Sequence, residues 1–319
     1  MEKLIYILLF VLFASCSNGE KVQSTTPANA EQAKKVEFNA DSCYNYLAKQ
    51  VNFGPRVPNT NAHKECAKYL VSTLAEFADT VITQDVNLTA FDGTKLESRN
   101  IIASWNTASK NRIMLCAHWD SRPFCDEDAN PANHKTPVLG ANDGASGVAV
   151  LMELARGLSI IQPNVAVDIV LFDSEDYGSS DVENSYCLGS QYWARNPHTP
   201  NYRARFGILL DMVGGVGARF DKDVVSMHFA SDVVNGVWKT AADMGYAGLF
   251  SNAPGGSLID DHYYVNMLSG IPCIDIIDYS NGEGFPSTWH TVSDNLENID
   301  KTVLNAVGRV LSNYIYNLK

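Results

Sequence analysis

No cluster of lysine or arginine runs through this chain of 319 residues, in which 36 acids outnumber 24 basic side chains for a net charge of −12. A protein that follows a nucleic-acid backbone needs a cationic track for the phosphates, so nucleic acid is excluded as a partner. No two cysteines have C-x-x-C spacing, which argues against a thiolate metal site. No G-x-S-x-G elbow occurs, and with it goes the strongest sequence signal of a serine hydrolase. The glycine-rich piece Gly214-Gly215-Val216-Gly217 does not follow the dinucleotide fingerprint. Long apolar runs are missing too: the stretch at residues 4–14 is too short to span a bilayer.

That stretch follows Lys3 and ends at Ala14-Ser15 before Cys16, which reads as a secretory signal and resembles a bacterial lipoprotein cleavage site. The expected organisation is a signal peptide at 1–15, a flexible polar tether at 16–35 with Cys16 lipidated, and one domain at 36–319. The lipid would attach the chain to a membrane of the cell envelope, on the periplasmic side or outer-membrane surface of a Gram-negative-type bacterium. Six further cysteines remain: Cys43, Cys66, Cys116, Cys125, Cys187 and Cys273. Export permits disulfides among them without assigning pairs, although Cys116 and Cys273 lie inside apolar runs that suit a core.

Helical spacing covers residues 39–50 and 61–77, with Asn or Asp at the expected N-caps. Asp92-Gly93 separates two β-rich stretches as a hairpin turn would. From there strands at 112–117, 165–172, 206–210 and 272–277 alternate with helices at 147–158, 189–195, 231–244, 261–268 and 301–317. Near-continuous apolar strands such as VDIVLF and FGILL suit a sheet covered on both faces. The fold class is therefore α/β: a single globular domain with a central mixed, mostly parallel β-sheet flanked by helices.

What the chain does carry is a series of acidic or histidine-bearing segments, each closing an apolar run. They are Ala117-His118-Trp119-Asp120, Ala141-Asn142-Asp143-Gly144, Phe172-Asp173-Ser174-Glu175-Asp176, Leu210-Asp211-Met212 and Trp289-His290-Thr291. Strand ends along one edge of an open α/β sheet are where such a fold gathers its site, and imidazole and carboxylate are donors to catalytic zinc. Taken singly, several have another reading. His118 could be a hydrogen-bonded core residue, Asp143 a helix N-cap, and either acid of Asp260-Asp261-His262 a first-turn acid favoured by the helix dipole. Gly140, Gly144 and Gly147 crowd the turn at Asp143, which favours close backbone approach to something bound. Glu175-Asp176 is the strongest pair, because adjacent acids ending a buried strand need a positive partner. One can ligate a metal while the other carries protons. Asp211 must be paired or hydrogen-bonded if it is buried, and Phe285 and Trp289 could wall a small pocket around His290. Together the segments suggest a hydrolytic or acyl-transfer metal centre.

In this order they resemble the zinc-dependent exopeptidase superfamily, and within it the animal-type glutaminyl-peptide cyclotransferases (glutaminyl cyclases), over roughly residues 43–319. His118, Asp143, Glu175-Asp176, Asp211 and His290 match the superfamily's ligands and acids. Trp289 directly before the last histidine, Phe285, Ile259-Asp260-Asp261-His262 and the run HTVSDNLENID favour the cyclase branch. The resemblance implies one zinc ion on Asp143, Asp176 and His290. It makes Glu175 the proton shuttle, with Asp211 and Asp260 in a hydrogen-bond network beside it, and puts Phe285, Trp289 and Ile259 in the substrate pocket. His118 is left as a second-metal or supporting position. The implied activity converts the N-terminal glutamine of peptides and proteins to pyroglutamate, releasing ammonia. A dizinc aminopeptidase, with His118 and Asp211 on the second metal, is one alternative. A non-catalytic zinc-containing lipoprotein that binds peptide N-termini is the other. The chain departs from the family in having Asp176 for glutamate, no tryptophan in residues 177–188, and Asp275 for a histidine.

Overall fold

The computed structural model describes residues 35–319, so the expected signal peptide, the Cys16 lipid site and nearly all of the tether lie outside the described residues. Two helices open the domain. In α1 (Ala40–Val51) the Asn39 side chain accepts from the Ser42 amide, and in α2 (Asn61–Ala75) Thr60 accepts from His63, each satisfying a donor that a helix start leaves free. A hairpin follows, β1 (Thr80–Thr89) against β2 (Lys95–Trp105), turning at Asp92-Gly93 where Gly93 takes φ +85°.

The remaining elements are β3 (Arg112–His118), α3 (Ala145–Ile160), β4 (Ala166–Phe172), α4 (Leu188–Arg195), β5 (Gly207–Asp211), β6 (Phe220–Lys222), α5 (Val224–Asp243), β7 (Phe250–Pro254), α6 (Asp261–Tyr264), β8 (Cys273–Ile277) and α7 (Lys301–Tyr316). Six strands form one sheet in the order β1-β2-β4-β3-β5-β8. β2 runs antiparallel to β1 and β4, whereas β4, β3, β5 and β8 are mutually parallel.

Side chains alternate across a strand, and here both faces are apolar. Ile113, Leu115 and Ala117 of β3, with Val167, Ile169 and Leu171 of β4, join the large core that includes side chains of α1, α2, α3, α5 and α7. Met114, Cys116, Val170 and Phe172 pack on the other face with Trp193 of α4 and Val265. All six cysteines of the domain are buried and unpaired.

The parallel strands end on one edge. β3 lies between β4 and β5, so the connections on its two sides run opposite ways and leave a crevice beyond the strand ends. His118, the acids after Phe172, and Asp211 all reach that crevice from this edge.

The structure differs from the sequence reading in three places. α5 starts at Val224 because Asp223 caps it, and a break at Ala230 (φ −146°, ψ 45°) hides its first turns from helical periodicity. The helix expected at 261–268 is one α-turn followed by a π-turn at Val265–Ser269. β6 and β7 form a separate parallel pair, too short to show a strand pattern.

A buried charge holds the middle of the sheet. Asp168 in β4 is fully buried, lies 2.5 Å from Arg112 Nη1 and accepts from the Tyr202 hydroxyl at 2.6 Å. Asp168→Ala leaves the guanidinium buried without its partner, and should lower unfolding free energy by about 3–5 kcal/mol in a denaturant titration.

Candidate active site

The chain beyond β3 is pinned before it reaches the site. The fully buried Arg56 guanidinium donates to the carbonyls of Trp119 (3.0 Å), Leu139 (2.6 Å) and Gly140 (2.6 Å). It thereby ties the end of β3 to the turn that carries Asp143. The Asp294 carboxylate accepts from the amides of Asn142 (2.7 Å) and Asp143 (3.1 Å). Asp143 is therefore held from behind while its own carboxylate points elsewhere. It does not cap α3, whose N-cap is Gly144 without any side-chain bond.

The glycines of this turn accommodate the protein's own backbone rather than a bound group. A Cβ on Gly144 would stand 2.4 Å from the Asp120 carbonyl oxygen, and one on Gly147 would stand 2.2 Å from that of Leu210.

The acid pair is set in the same manner. Ser174 turns through φ +56°, and the Asp120 carboxylate accepts from the amides of Glu175 (3.1 Å) and Asp176 (3.2 Å). Arg122 donates to the Asp176 carbonyl at 3.0 Å and lies 3.4 Å from its carboxylate. Met212 (φ +50°) and His290 (φ +53°) are also left-handed. Such conformations are uncommon for side-chain-bearing residues and cluster where the surroundings over-determine a site.

These constraints bring together the residues singled out in the sequence. Ligand atoms of Asp143, Asp176 and His290 lie within 4.8 Å of one another, with all three side chains buried. His290 Nε2 is 3.3 Å from Asp176 and 3.6 Å from Asp143. A second group shares Asp143: His118 Nε2 is 3.0 Å from Asp143 Oδ1 and 3.2 Å from Asp211.

Asp260 caps the short α6 through the Asp261 amide, the ordinary role for that position. It does not hydrogen-bond Glu175. The Cys187 thiol stands between them, 3.1 Å from Glu175 and 4.0 Å from Asp260.

The electrostatics follow from burial among like charges. Burial pushes the Glu175 carboxyl well above its ordinary range, with Asp176 and Asp260 adding to the shift and His118 opposing it. Burial likewise raises Asp211 to about 8. At His118 burial disfavours the charge, yet hydrogen bonds to Asp120, Asp143 and Asp211 hold the imidazole well above its usual value.

Asp143, Asp176 and His290 fit a zinc ion. Two carboxylates and one imidazole are its ordinary donors, and Asp176 Oδ2 is a buried oxygen with no hydrogen-bond partner. A divalent cation would relieve the crowding of these acids.

Beside this group opens a cavity of about 260 Å³ whose lining includes Phe285, Trp289, Ile259, Leu258, Tyr186 and Met212. Trp289 stacks on His290 (ring centroids 3.7 Å apart) and on Phe285 (4.3 Å). Residues 177–188 hold no tryptophan, and from this segment Ser180 and Tyr186 reach the cavity wall.

Sequence reasoning missed Arg56, Arg122, Cys187 and Asp294, and gave Asp120 no role. Asp120 and Arg122 sit within four residues of His118, and Asp294 four after His290, so proximity could have flagged them. Nothing local marks Arg56 or Cys187.

Known proteins resemble this chain in sequence and fold. The model of Peptidase family M28 matches residues 100–315. A glutaminyl-peptide cyclotransferase of Bos taurus is 24% identical over 244 residues, covering 68% of this chain and 65% of the bovine protein, a little under two thirds of its length. A crystal structure of Bacteroides thetaiotaomicron glutaminyl cyclase bound to N-acetylhistamine is 50% identical with a TM-score of 0.88, covering 90% of this chain and 100% of that one. A Zn-dependent exopeptidase from Parabacteroides distasonis is 51% identical with a TM-score of 0.88, covering 89% and 100%.

Removing the Asp294 carboxylate frees the turn that carries Asp143 without touching a ligand. Asp294→Ala should therefore weaken zinc binding about 10- to 100-fold in competition with a chelator, and unchanged affinity would show that the turn is held by other means.

Proposed function

We propose that this chain, which belongs to peptidase family M28, converts the N-terminal glutamine of peptides and proteins to pyroglutamate with release of ammonia. The observation that carries this reading is the stack of Phe285, Trp289 and His290. It places an apolar wall directly against the candidate ligands, giving room for a short, curled side chain. The similarity to glutaminyl cyclases supports it.

Asp143, Asp176 and His290 would hold one zinc ion, which when bound supplies a Lewis acid for the glutamine side-chain carbonyl. The pocket's part is to hold the glutamine with its α-amine against its own carboxamide, turning a slow cyclisation into an oriented intramolecular step. Phe285, Trp289 and Ile259 pack the methylenes. Glu175 takes a proton from the α-amine as the new C–N bond forms. It then gives that proton to the carboxamide nitrogen as the old C–N bond breaks, so ammonia leaves neutral. A carboxyl whose burial favours the protonated form suits a group that must both take and return a proton. Asp260 stays close enough to bias where that proton rests, while Asp211 holds His118.

The shared position of Asp143 favours one second reading, an aminopeptidase with another metal on His118 and Asp211. The N-terminal expectation remains part of the proposal: a lipid on Cys16 would hold the domain at a bacterial cell envelope.

Purified protein given a glutamine-initiated peptide should shorten its mass by one ammonia and leave its length intact. Release of the first amino acid would identify the peptidase instead. With zinc bound and neither product formed, the binding-protein reading would stand. Glu175→Gln should retain zinc and KM while kcat falls about 10²- to 10⁴-fold, and a rate near wild type would rule out the shuttle.

A further inference from the structure

A thiol stands beside the proposed proton shuttle. Cys187 is fully buried and places Sγ 3.1 Å from Glu175 Oε1, within reach to donate its hydrogen. Among the described residues it is the one side chain that hydrogen-bonds the Glu175 carboxylate. The other oxygen, Oε2, is 3.9 Å from His118 Nδ1, too far for a hydrogen bond. Burial, reinforced by Glu175, Asp261 and Asp260, pushes the thiol well above its usual value, so it remains a donor.

The backbone at Cys187 calls for a different residue. It takes φ +59° and ψ +33° at the start of α4 and makes no side-chain cap. Glycine is the residue that adopts this conformation freely. The backbone ties here need no side chain: the Cys187 amide donates to the Glu175 carbonyl at 2.8 Å, and that of Leu188 to Ser174 at 3.0 Å. A side chain kept against the local preference, and directed at a carboxylate, has a reason beyond the turn.

Resting on the cyclase reading, we propose that Cys187 is a positioning residue for the reaction: its thiol fixes the rotation of the Glu175 carboxylate so that one oxygen stays turned to the substrate. Sulfur suits this task. The thiol is a weak hydrogen-bond donor, so it orients the carboxylate and leaves it a base, whereas a cationic donor would quench it. Cys187 does not line the pocket, so the effect belongs to turnover rather than to substrate binding.

The test is to measure kcat, KM, melting temperature and zinc per chain for wild type, Cys187→Gly, Cys187→Ala and Cys187→Ser on a glutamine-initiated peptide. Cys187→Gly relieves the backbone, so it should keep its melting temperature and zinc yet lose about tenfold in kcat, with KM nearly unchanged. Cys187→Ala should show the same kcat loss. Cys187→Ser, which restores a donor, should recover most of the rate. Wild-type kcat in the folded glycine variant would overturn the proposal, as would a serine variant no better than alanine. Wild-type protein that releases no ammonia would overturn the cyclase reading itself, and this proposal with it.

Discussion

Asp143 sits with one oxygen 3.0 Å from His118 and the other 3.6 Å from His290, and much of the surrounding architecture serves to keep it there. Its backbone is fixed by Asp294 and by the turn that Arg56 staples to the end of β3. The cost is a concentration of buried carboxylates, including Asp120, Asp143, Asp176, Asp211, Asp260 and Asp261, with few cations among them. Charges removed from water need partners. Part of the balance comes from backbone amides, which Asp120 and Asp294 accept in pairs. The remainder is what a bound metal would supply.

Much of this centre was legible in the sequence because His118, the Glu175-Asp176 pair and Asp211 each close an apolar strand, and parallel strands with alternating helices must end on one edge. That logic singled out Glu175, Asp176 and Asp211 without any contact being known, whereas Asp143 precedes α3 and His290 lies in a loop beyond β8, so the strand edge does not place them. It failed where the contact is made by the fold alone. Arg56 precedes β3 by more than fifty residues and meets it only through the packing of the opening helices. Cys187 stood out only as one of six cysteines that export permits to pair, because nothing in its neighbourhood announces an acid twelve residues away. The crowded glycines misled in a different way. Their small size is required by neighbouring backbone, a reason that looks the same in sequence as room for a ligand. In the fold, the misses were short or broken elements such as β6, β7 and the first turns of α5, whose lengths do not complete a period.

The candidate ligand geometry would serve hydrolysis or cyclisation, so those residues do not choose between them. Hydrolysis needs a water beside the scissile bond, and therefore an open, wet site. Cyclisation needs the opposite, a tight apolar wall that bends the substrate on itself. Trp289 stacked between Phe285 and His290 provides such a wall, and Ile259 extends it at the rim. Neither the position of Asp143 nor the pairing of His118 with Asp211 would have to change for the fold to support either outcome. The aromatic loop is the deciding part.

The most direct test of this account is the fate of solvent oxygen. Turnover of a glutamine-initiated peptide in heavy-oxygen water, followed by mass spectrometry, separates an intramolecular acyl transfer from a hydrolysis. The account predicts a full-length peptide, lighter by one ammonia and carrying no label from the water. A shortened peptide with labelled oxygen in the released amino acid would contradict it.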